Sequence, residues 1–263
     1  MRKNIYLFFV LVPVVFLING CTLNEGLKIS NGLIEVYGRC TVNYELTIQP
    51  GTRVVFKEKQ TFFIGGGDPG EIEFKDGGKL IAKGTAQNPI VFETAQVSFG
   101  QIYMRSSSID DSIIEFSKLS NTVVTISNST TIRKSKFENS RIAIEGNSSS
   151  LIEYNTFTWD NSFQVVLISM LDSTNCNIQY NNLSGSEIGI SCGSLYSSIK
   201  NNNIQNIVTY AIGGPLSTNI SVEGNYVANC YGQSGVDTTG SQSARVVYVN
   251  PRTSPVTEAG CGW

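Results

Sequence analysis

The sequence predicts an all-β protein whose short strands wind into a parallel β-helix, a solenoid with a cap at each end. A six-residue pattern recurs six times at intervals of 18 to 26 residues, which suits one coil of chain per copy. A further aliphatic position follows each of the first five copies. The composition agrees, because Asn, Ser, Ile, Thr and Gly are plentiful and charged residues make up only 15% of the chain.

Each copy of the hexamer has an aliphatic residue, two variable residues, Ser or Asn, one variable residue and a last apolar residue. The copies span 114–119, 132–137, 152–157, 178–183, 199–204 and 222–227. Coils of a solenoid lie ~4.8 Å apart, so equivalent residues stand above one another. We therefore expect the first and last positions to line the interior. The same reasoning predicts an inward column of Ile126, Ile144, Ile168, Ile190 and Ile212.

The fourth position of the hexamer predicts a ladder of polar side chains at a buried bend. Stacked amides can bond to one another and to turn backbone, because each has donors and an acceptor. Asparagine also tolerates the left-handed backbone of a tight corner. A row of sugar-binding side chains is the functional alternative, although the flanking apolar columns favour the structural interpretation. The ladder consists of Ser117, Ser135, Asn155, Asn181, Asn202 and Asn225.

The hexamers resemble the repeats of right-handed parallel β-helix proteins, the pectate-lyase-like group. Residues 47–56, 78–85 and 88–92 look like the opening coils of many bacterial surface proteins with that fold. The resemblance implies a right-handed parallel β-helix over 41–230. It implies no single activity, because this fold hosts lyases, hydrolases, epimerases and adhesins. Outside the solenoid we expect a tether with an N-terminal cap at 21–40, and a partial coil with a C-terminal cap at 231–263.

Residues 1–20 have the features of an export signal. Two cations precede an uncharged apolar run over 5–17, which is too short for a comfortable membrane span. Residues 18–21 resemble the lipobox of bacterial lipoproteins, which implies cleavage before Cys21 and a lipid anchor on its thiol. An ordinary secretory signal with a free Cys21 is the alternative. Thr22 follows in place of an Asp retention signal, which favours the outer membrane or cell surface, with a periplasm-facing anchor as the other possibility.

Charge and composition exclude several kinds of function. The net charge is −2, and loss of residues 1–20, with two cations and no acid, leaves −4. A weakly acidic protein lacks the basic surface that nucleic acid requires. The sequence contains no histidine, which excludes Ser-His-Asp and Cys-His catalysis and His-ligated metal sites. We expect no nucleic-acid partner, no metal and no cofactor.

Cysteines beyond Cys21 are predicted to be structural. Cys176 and Cys192 fall in strand-like segments and are expected to point inward as small hydrophobic residues. Cys230 and Cys261 both fall near the predicted C-terminal cap. They are the best candidates for a disulfide, which an oxidising compartment would permit.

Two sets of residues are candidates for a surface site. Glu115, Arg133 and Glu153 occupy the second hexamer position on successive coils, either as an acid/base set or as charge alternation that avoids stacked like charges. Trp159 and Asp160 lie on a predicted extended loop over 158–163. The third hexamer position adds aromatic side chains that would stabilise a corner or serve as sugar platforms. These are Phe116, Tyr154 and Tyr180.

Together these features favour a non-catalytic, lipid-anchored envelope or surface protein that binds polysaccharide or another envelope or host component. The first alternative is a carbohydrate-active lyase or hydrolase, which would need acids for Ca²⁺ or a pair of carboxylates close together. The second is a structural envelope protein without a ligand.

Overall fold

The structure, a computed structural model, describes residues 27–30, 32–57, 70–94, 99–105, 112–146, 148–160, 165–213, 220–230, 247–249 and 252–263. Regular structure in these ranges is entirely β, and three parallel sheets form a solenoid of about seven turns. The predicted export signal and Cys21 lie outside the described residues. Within those ranges, no helix has the length and hydropathy needed to cross a membrane.

The strands are numbered along the chain and fall into three sheets, each of which has its members in chain order from one end of the solenoid to the other. Sheet A contains β1 (Leu27–Ser30), β2 (Leu33–Tyr37), β5 (Arg53–Lys57), β8 (Ile90–Thr94), β11 (Ser117–Ser120), β14 (Lys136–Glu138), β17 (Thr156–Thr158), β20 (Asn182–Ser184), β23 (Asn203–Gln205) and β26 (Tyr226–Ala228). Sheet B contains β3 (Arg39–Val42), β6 (Glu71–Phe74), β9 (Gly100–Met104), β12 (Thr122–Ile126), β15 (Arg141–Glu145), β18 (Val166–Thr174), β21 (Ile188–Leu195) and β24 (Tyr210–Gly213). Sheet C contains β4 (Glu45–Ile48), β7 (Lys79–Lys83), β10 (Ser112–Glu115), β13 (Thr130–Arg133), β16 (Leu151–Glu153), β19 (Asn177–Gln179), β22 (Ser198–Lys200), β25 (Ser221–Glu223) and β27 (Val247–Val249).

The hexamer repeat is confirmed as the unit of the solenoid, and it spans the corner between sheets C and A. Its first residue pairs coil to coil in sheet C, as Ile114 does with Ile132. Its last residue does the same in sheet A, as Leu119 does with Phe137. These side chains are fully buried. Alternation along each short strand turns one set of apolar residues inward, so every coil adds a layer to one continuous core.

The solenoid begins earlier than the sequence suggested. β2 pairs with β5 in parallel register from Leu33↔Arg53 to Tyr37↔Lys57, so it is already a full strand of sheet A. Among the strands that the structure describes, only β1 is antiparallel to its neighbour, β2. The predicted cap over 21–40 therefore includes part of the first coil, in which burial alternates along 33–37 as it does in the later strands.

The predicted second column is wrong in its register at one step, between β15 and β18, whereas Ile168, Ile190 and Ile212 pair as expected. Ile126 pairs with Ile144, as expected, but Ile144 then pairs with Met170. Ile168 pairs with Ile142, two residues earlier on the same face. The longer connection before β18 changes the alignment by two residues. A shift of two keeps the inward face of a strand inward, so the core remains apolar.

The segment after residue 230 only partly matches the predicted cap. β27 pairs with β25 and extends sheet C, as a last partial coil would. Residues 252–263 do not close the end of the solenoid. They run back along its outer flank, from the coil of Asn225 to the coil of Lys134. Most of their side chains are exposed, which an end cap over an open core would not allow.

Candidate functional site

The predicted Ser/Asn side chains lie in one buried column at the corner between sheets C and A. All six have 0% of their surface exposed. From Ser135 onward, each side chain accepts the backbone N–H of its equivalent one coil earlier, as when Asn155 donates to Asn181 Oδ1 at 3.0 Å. The amide of Asn155 also donates to the carbonyl of Ile132 at 2.9 Å. The column thus satisfies the polar groups of the corner and is inaccessible to a ligand.

The left-handed residue of this corner is the third hexamer position, whereas the sequence suggested the asparagine at the fourth. Tyr154 and Tyr180 both have φ of 55°, but Asn155 and Asn181 do not have positive φ. Because the third residue makes the sharp turn, its side chain points outward and the next one points inward. The full set at this position is Phe116, Lys134, Tyr154, Tyr180, Asn201 and Gly224, all with φ between 48° and 64°.

Sequence reasoning missed two further polar columns at the other corners. Between sheets A and B, Thr122 donates its N–H to Ser140 Oγ at 2.9 Å. Between sheets B and C, Thr130 donates to Ser150 Oγ at 3.3 Å, and Cys176 donates to Ser197 Oγ at 3.1 Å. A buried hydroxyl before each strand was the available signal. These columns hold backbone together and are inaccessible, so they are structural as well.

The structure aligns Glu115, Arg133 and Glu153 on neighbouring strands of sheet C, as predicted from their spacing. Arg133 Nε lies 3.0 Å from Glu115 Oε1. Glu153 instead accepts from Gln179 Nε2 at 3.0 Å. Each carboxylate thus has a partner along the column. This arrangement is charge alternation across coils, the simpler of the two interpretations.

Trp159 is not part of a surface site, contrary to the sequence-based expectation. Its side chain is 4% exposed and belongs to the core. It stacks on Phe99, with ring centroids 5.9 Å apart. Asp160 next to it is exposed and donates its N–H to Asn139 Oδ1 at 3.0 Å. The large apolar surface of the Trp159 ring explains why it is buried, because its contacts in the core are more favourable than contact with water.

The predicted disulfide between Cys230 and Cys261 is absent. Cys230 Sγ contacts the carbonyl of Ala228 at 3.4 Å, at the end of β26. Cys261 Sγ contacts Thr156 Oγ1 at 3.3 Å, on β17. β17 and β26 are three coils apart in sheet A, roughly 14 Å at the spacing of strands, which is beyond the reach of a disulfide. Cys176 and Cys192 are buried in the interior.

The stacked tyrosines form a pile whose axis follows the solenoid. The ring centroids of Tyr154 and Tyr180 are 5.1 Å apart and their planes differ by 4°. The two rings cover each other, so a chain running along the axis would meet ring edges. Phe116 lies three coils from Tyr180 and packs instead against Trp263, with ring centroids 6.4 Å apart. The aromatic position therefore supports the corner and is a poor sugar platform.

Several outward charges are paired across neighbouring coils of the described solenoid. Each pair joins an acid to a cation one coil away, so the outer faces carry rows of near-neutral charge. The pairs are Glu35–Lys57, Glu45–Lys79, Glu93–Arg53, Glu115–Arg133, Glu138–Lys118 and Glu223–Lys200.

Ionisable and planar side chains concentrate on the outer face of sheet B, on β3, β6 and β9. Register places Arg39, Glu71 and Gln101 side by side in one row. Arg39 Nε bonds Glu71 Oε1 at 3.0 Å. Tyr103 donates its hydroxyl to Gln101 Oε1, two residues away on the same face. We call this surface the sheet B polar cluster: Arg39, Glu71, Glu73, Lys75, Gln101, Tyr103 and Arg105.

A buried carboxylate anchors the second row of this cluster. Glu73 is 1% exposed, and its two oxygens lie 3.0 Å from Lys75 Nζ and 3.2 Å from Arg105 Nη1. The guanidinium of Arg105 also lies over the ring of Tyr103, with Cζ 4.4 Å from the centroid. Arg105 is thus fixed from two sides, which orients its planar group.

Burial perturbs the titration of two groups in the sheet B polar cluster. It raises the pKa of Glu71 above its ordinary 4.5, and the neighbouring Arg39 opposes that change. Burial also raises the pKa of Tyr103 above 10.0, assisted by the negative charge of Glu71. The alternation Glu71-Ile72-Glu73-Phe74 was a visible signal of two acids on one face, but their contact with Tyr103 required the coil register.

Among the described residues, no group of three or more Cys, Asp or Glu converges in the way that a metal ion requires. The sequence matches no protein-family model, and no curated protein matches it either.

Proposed function

We propose that the protein is an exported, lipid-anchored β-solenoid that binds polysaccharide at the cell envelope or surface without cleaving it, with the sheet B polar cluster as its contact surface. The observation that carries this proposal is that Arg39 and Arg105 each pair with a carboxylate on the outer face of sheet B, with Arg105 also over the ring of Tyr103. Arg39 has 67% of its side chain exposed, and its guanidinium has five donors. Glu71 and Glu73 hold the two guanidinium groups in place, so they are preorganised.

The chemistry of the cluster fits a sugar polymer that carries carboxylates. Arginine bonds carboxylates in a bidentate way, and Gln101 and Tyr103 add groups that bond hydroxyls. The cluster brings the three cations Arg39, Lys75 and Arg105 together on a chain whose net charge is −2. A uronate-containing polysaccharide therefore meets a complementary local charge. Successive coils repeat at ~4.8 Å along the axis, which suits a linear ligand.

Anchoring rests on the sequence of residues 1–21. We expect the chain expressed in a bacterium to incorporate a radiolabelled fatty acid, and Cys21→Ser to lose the label. An unaltered chain that is cleaved and secreted without the label would support an ordinary signal. In that case the protein is exported without a lipid anchor, and the proposed location at the envelope is wrong.

Binding is tested with purified residues 22–263 on an array of plant, algal and bacterial polysaccharides, followed by titration. We expect Arg39→Ala and Arg105→Ala to weaken binding at least tenfold, since each removes a charged hydrogen-bonding group. Arg53→Ala is the matched control, because Arg53 is exposed on β5 of sheet A, on a different face of the solenoid. Equal losses in all three variants would indicate a non-specific charge effect and contradict the proposal.

A carbohydrate-active lyase or hydrolase is the second candidate, and one observation favours it. Glu71 and Glu73 face the same side of β6, and burial raises the pKa of Glu71 as it does for general acids. Release of reducing ends or unsaturated sugars that Glu71→Gln abolishes would establish catalysis. If Glu71→Gln changes affinity and no polymer is degraded, the cluster is a binding surface.

A further inference from the structure

Residues 252–263, which we call the strap, lie along the flank of the solenoid. They run beside the corner between sheets C and A, where the strands of sheet A begin. The strap contacts one coil after another in reverse order. It meets Asn225 first, then Asn203, then Asn182, and it ends beside Lys134. No strand occurs in the strap, so it is held by individual contacts and not by a sheet ladder.

The flank recognises the backbone of the strap through side-chain amides. Asn203 binds both polar groups of Val256: Val256 N donates to Oδ1 at 2.7 Å, and Nδ2 donates to the Val256 carbonyl at 2.9 Å. Asn182 Nδ2 donates to the carbonyl of Ala259 at 3.0 Å. Asn182 Oδ1 in turn accepts from Asn203 Nδ2 at 2.8 Å, which orients both amides. Because these contacts involve only backbone atoms of the strap, extended chains of many different sequences can make them.

Three positions of the strap do depend on the side chain. Val256 is 2% exposed, so its side chain is shielded from water. Gly260 has φ of 89°, and a Cβ there would lie 2.2 Å from Asn182 Nδ2. Trp263 donates Nε1 to the Lys134 carbonyl at 2.7 Å. The flank thus selects an apolar residue, a glycine four positions later and an aromatic residue three positions after that.

The aromatic end of the strap occupies a cationic corner. Lys136 Nζ lies 4.5 Å from the ring centroid of Trp263, and Phe116 packs against the same ring at 6.4 Å. A cation over an indole is the most favourable pair of this kind. The corner would receive a tryptophan from any chain that reaches it.

The strap is also separate from the core. Val256 is its buried apolar residue, yet Val256 lies outside the continuous hydrophobic core of the coils. In the described coils, the inward apolar residues form their core cluster without Val256. Release of the strap therefore exposes polar flank groups to water and leaves the coils intact.

We propose that this flank is a binding site for an extended polypeptide, and that the strap is the occupant that the chain itself carries. The flank strip consists of Phe116, Lys134, Lys136, Thr156, Tyr180, Asn182 and Asn203. Its partner in trans is a polypeptide with the apolar–glycine–aromatic pattern of the strap. The strap competes with that partner, so binding requires the strap to open.

The test uses the full chain and a fluorescent synthetic peptide of residues 252–263 with Cys261→Ser. We expect weak binding to the unaltered chain, because its own strap fills the strip. Trp263→Ala in the chain loosens the strap and is expected to tighten the apparent affinity for the peptide about tenfold. Adding Asn203→Ala to Trp263→Ala removes the two bonds to Val256 and is expected to abolish this gain. Gln205→Ala, on the outer face of the same strand, is the matched control and is expected to keep it.

Hydrogen exchange gives an independent readout on the unaltered chain. We expect the amides of Val256 and Gly260 to exchange far faster than the ladder amide of Asn181, since strap opening is local. Exchange of all three at the same slow rate would show that the strap opens only when the coils unfold, and would overturn the proposal. So would a Trp263→Ala chain that binds peptide no better than the unaltered one. Dimers that the peptide converts to monomers would identify the partner as the strap of a second copy and support the strip as a peptide site.

Discussion

Asn202 Oδ1 accepts two hydrogen bonds from the preceding coil, from the backbone N–H of Asn181 at 2.9 Å and from Asn181 Nδ2 at 3.0 Å. The same relationship links Asn155 to Asn181 and Asn202 to Asn225. Each amide thus bonds both the backbone and the next amide. A corner that would otherwise bury unsatisfied polar groups becomes a continuous chain of donors and acceptors.

Replacing Asn181 with Ala is expected to destabilise the solenoid by about 3–5 kcal/mol, because several buried groups lose their partners at once. The affected groups are the donors of Asn155 and the carbonyls of Ile152 and Gln179. Urea denaturation should show a lower midpoint with an unchanged slope.

The control for this variant is Asn177→Ala, on the same coil. Asn177 is exposed, and its backbone N–H bonds Ser150 in either variant. We expect a change within about 0.5 kcal/mol, as for other surface positions. Similar losses for Asn177→Ala and Asn181→Ala would mean that the buried ladder has no special role.

Tyr180 tests the left-handed corner. Its φ is 55°, so Tyr180→Gly should give a chain about 1 kcal/mol more stable than Tyr180→Ala, since only glycine adopts this conformation without a penalty. The order should reverse at Gln179, an ordinary strand residue, where Ala is favoured over Gly. Chemical denaturation of the four variants measures both differences. If the same residue, Gly or Ala, gives the more stable chain at both positions, the left-handed conformation assigned to residue 180 is contradicted.

The sequence was most informative where the repeat is short and regular. In the hexamer, strand, bend and strand occupy adjacent residues, so local spacing alone determines which side chains stack. It was less informative across the connection before β18. There both Ile144↔Ile168 and Ile142↔Ile168 keep the apolar face inward, and only packing of the whole coil selects the second.

The candidate site could be predicted only in part. Glu71 and Glu73 alternate along one strand, which places them on one face from sequence alone. Their partners Tyr103 and Arg105 lie about 30 residues later, in coils that precede the hexamers, where no pattern defines the register. Trp159 shows a second limit of prediction from sequence. It was predicted to lie on the surface, but it is buried against Phe99, which comes from a distant part of the chain.

Stability should depend on pH through Glu71. Burial raises the pKa of Glu71 above 4.5 in the folded chain, so the folded state holds the proton more tightly than the unfolded state. This group therefore contributes stability below pH 4.5, and the contribution is lost as the pH rises through the folded pKa. Glu71→Gln should remove that part of the decline in melting temperature as the pH rises above 4.5.

Arg39→Ala provides a control of opposite direction for the same titration. Arg39 lowers the pKa of Glu71, so its removal should raise that pKa further and move the decline to higher pH. If Glu71→Gln leaves the pH profile of the melting temperature unchanged, another group is responsible.

Thiol reactivity should distinguish Cys192 in the interior from Cys261 on the flank. Burial raises the pKa of Cys192 to about 12, so at pH 8 almost none of this thiol is the reactive thiolate. Cys261 is partly exposed on the strap, where a reagent can reach it. Iodoacetamide followed by peptide mass mapping should label Cys261 in the folded chain and Cys192 only in urea. Labelling of Cys192 at the rate of Cys261 under native conditions would place it outside the core, against the pairing of Cys192 with Met170 in sheet B.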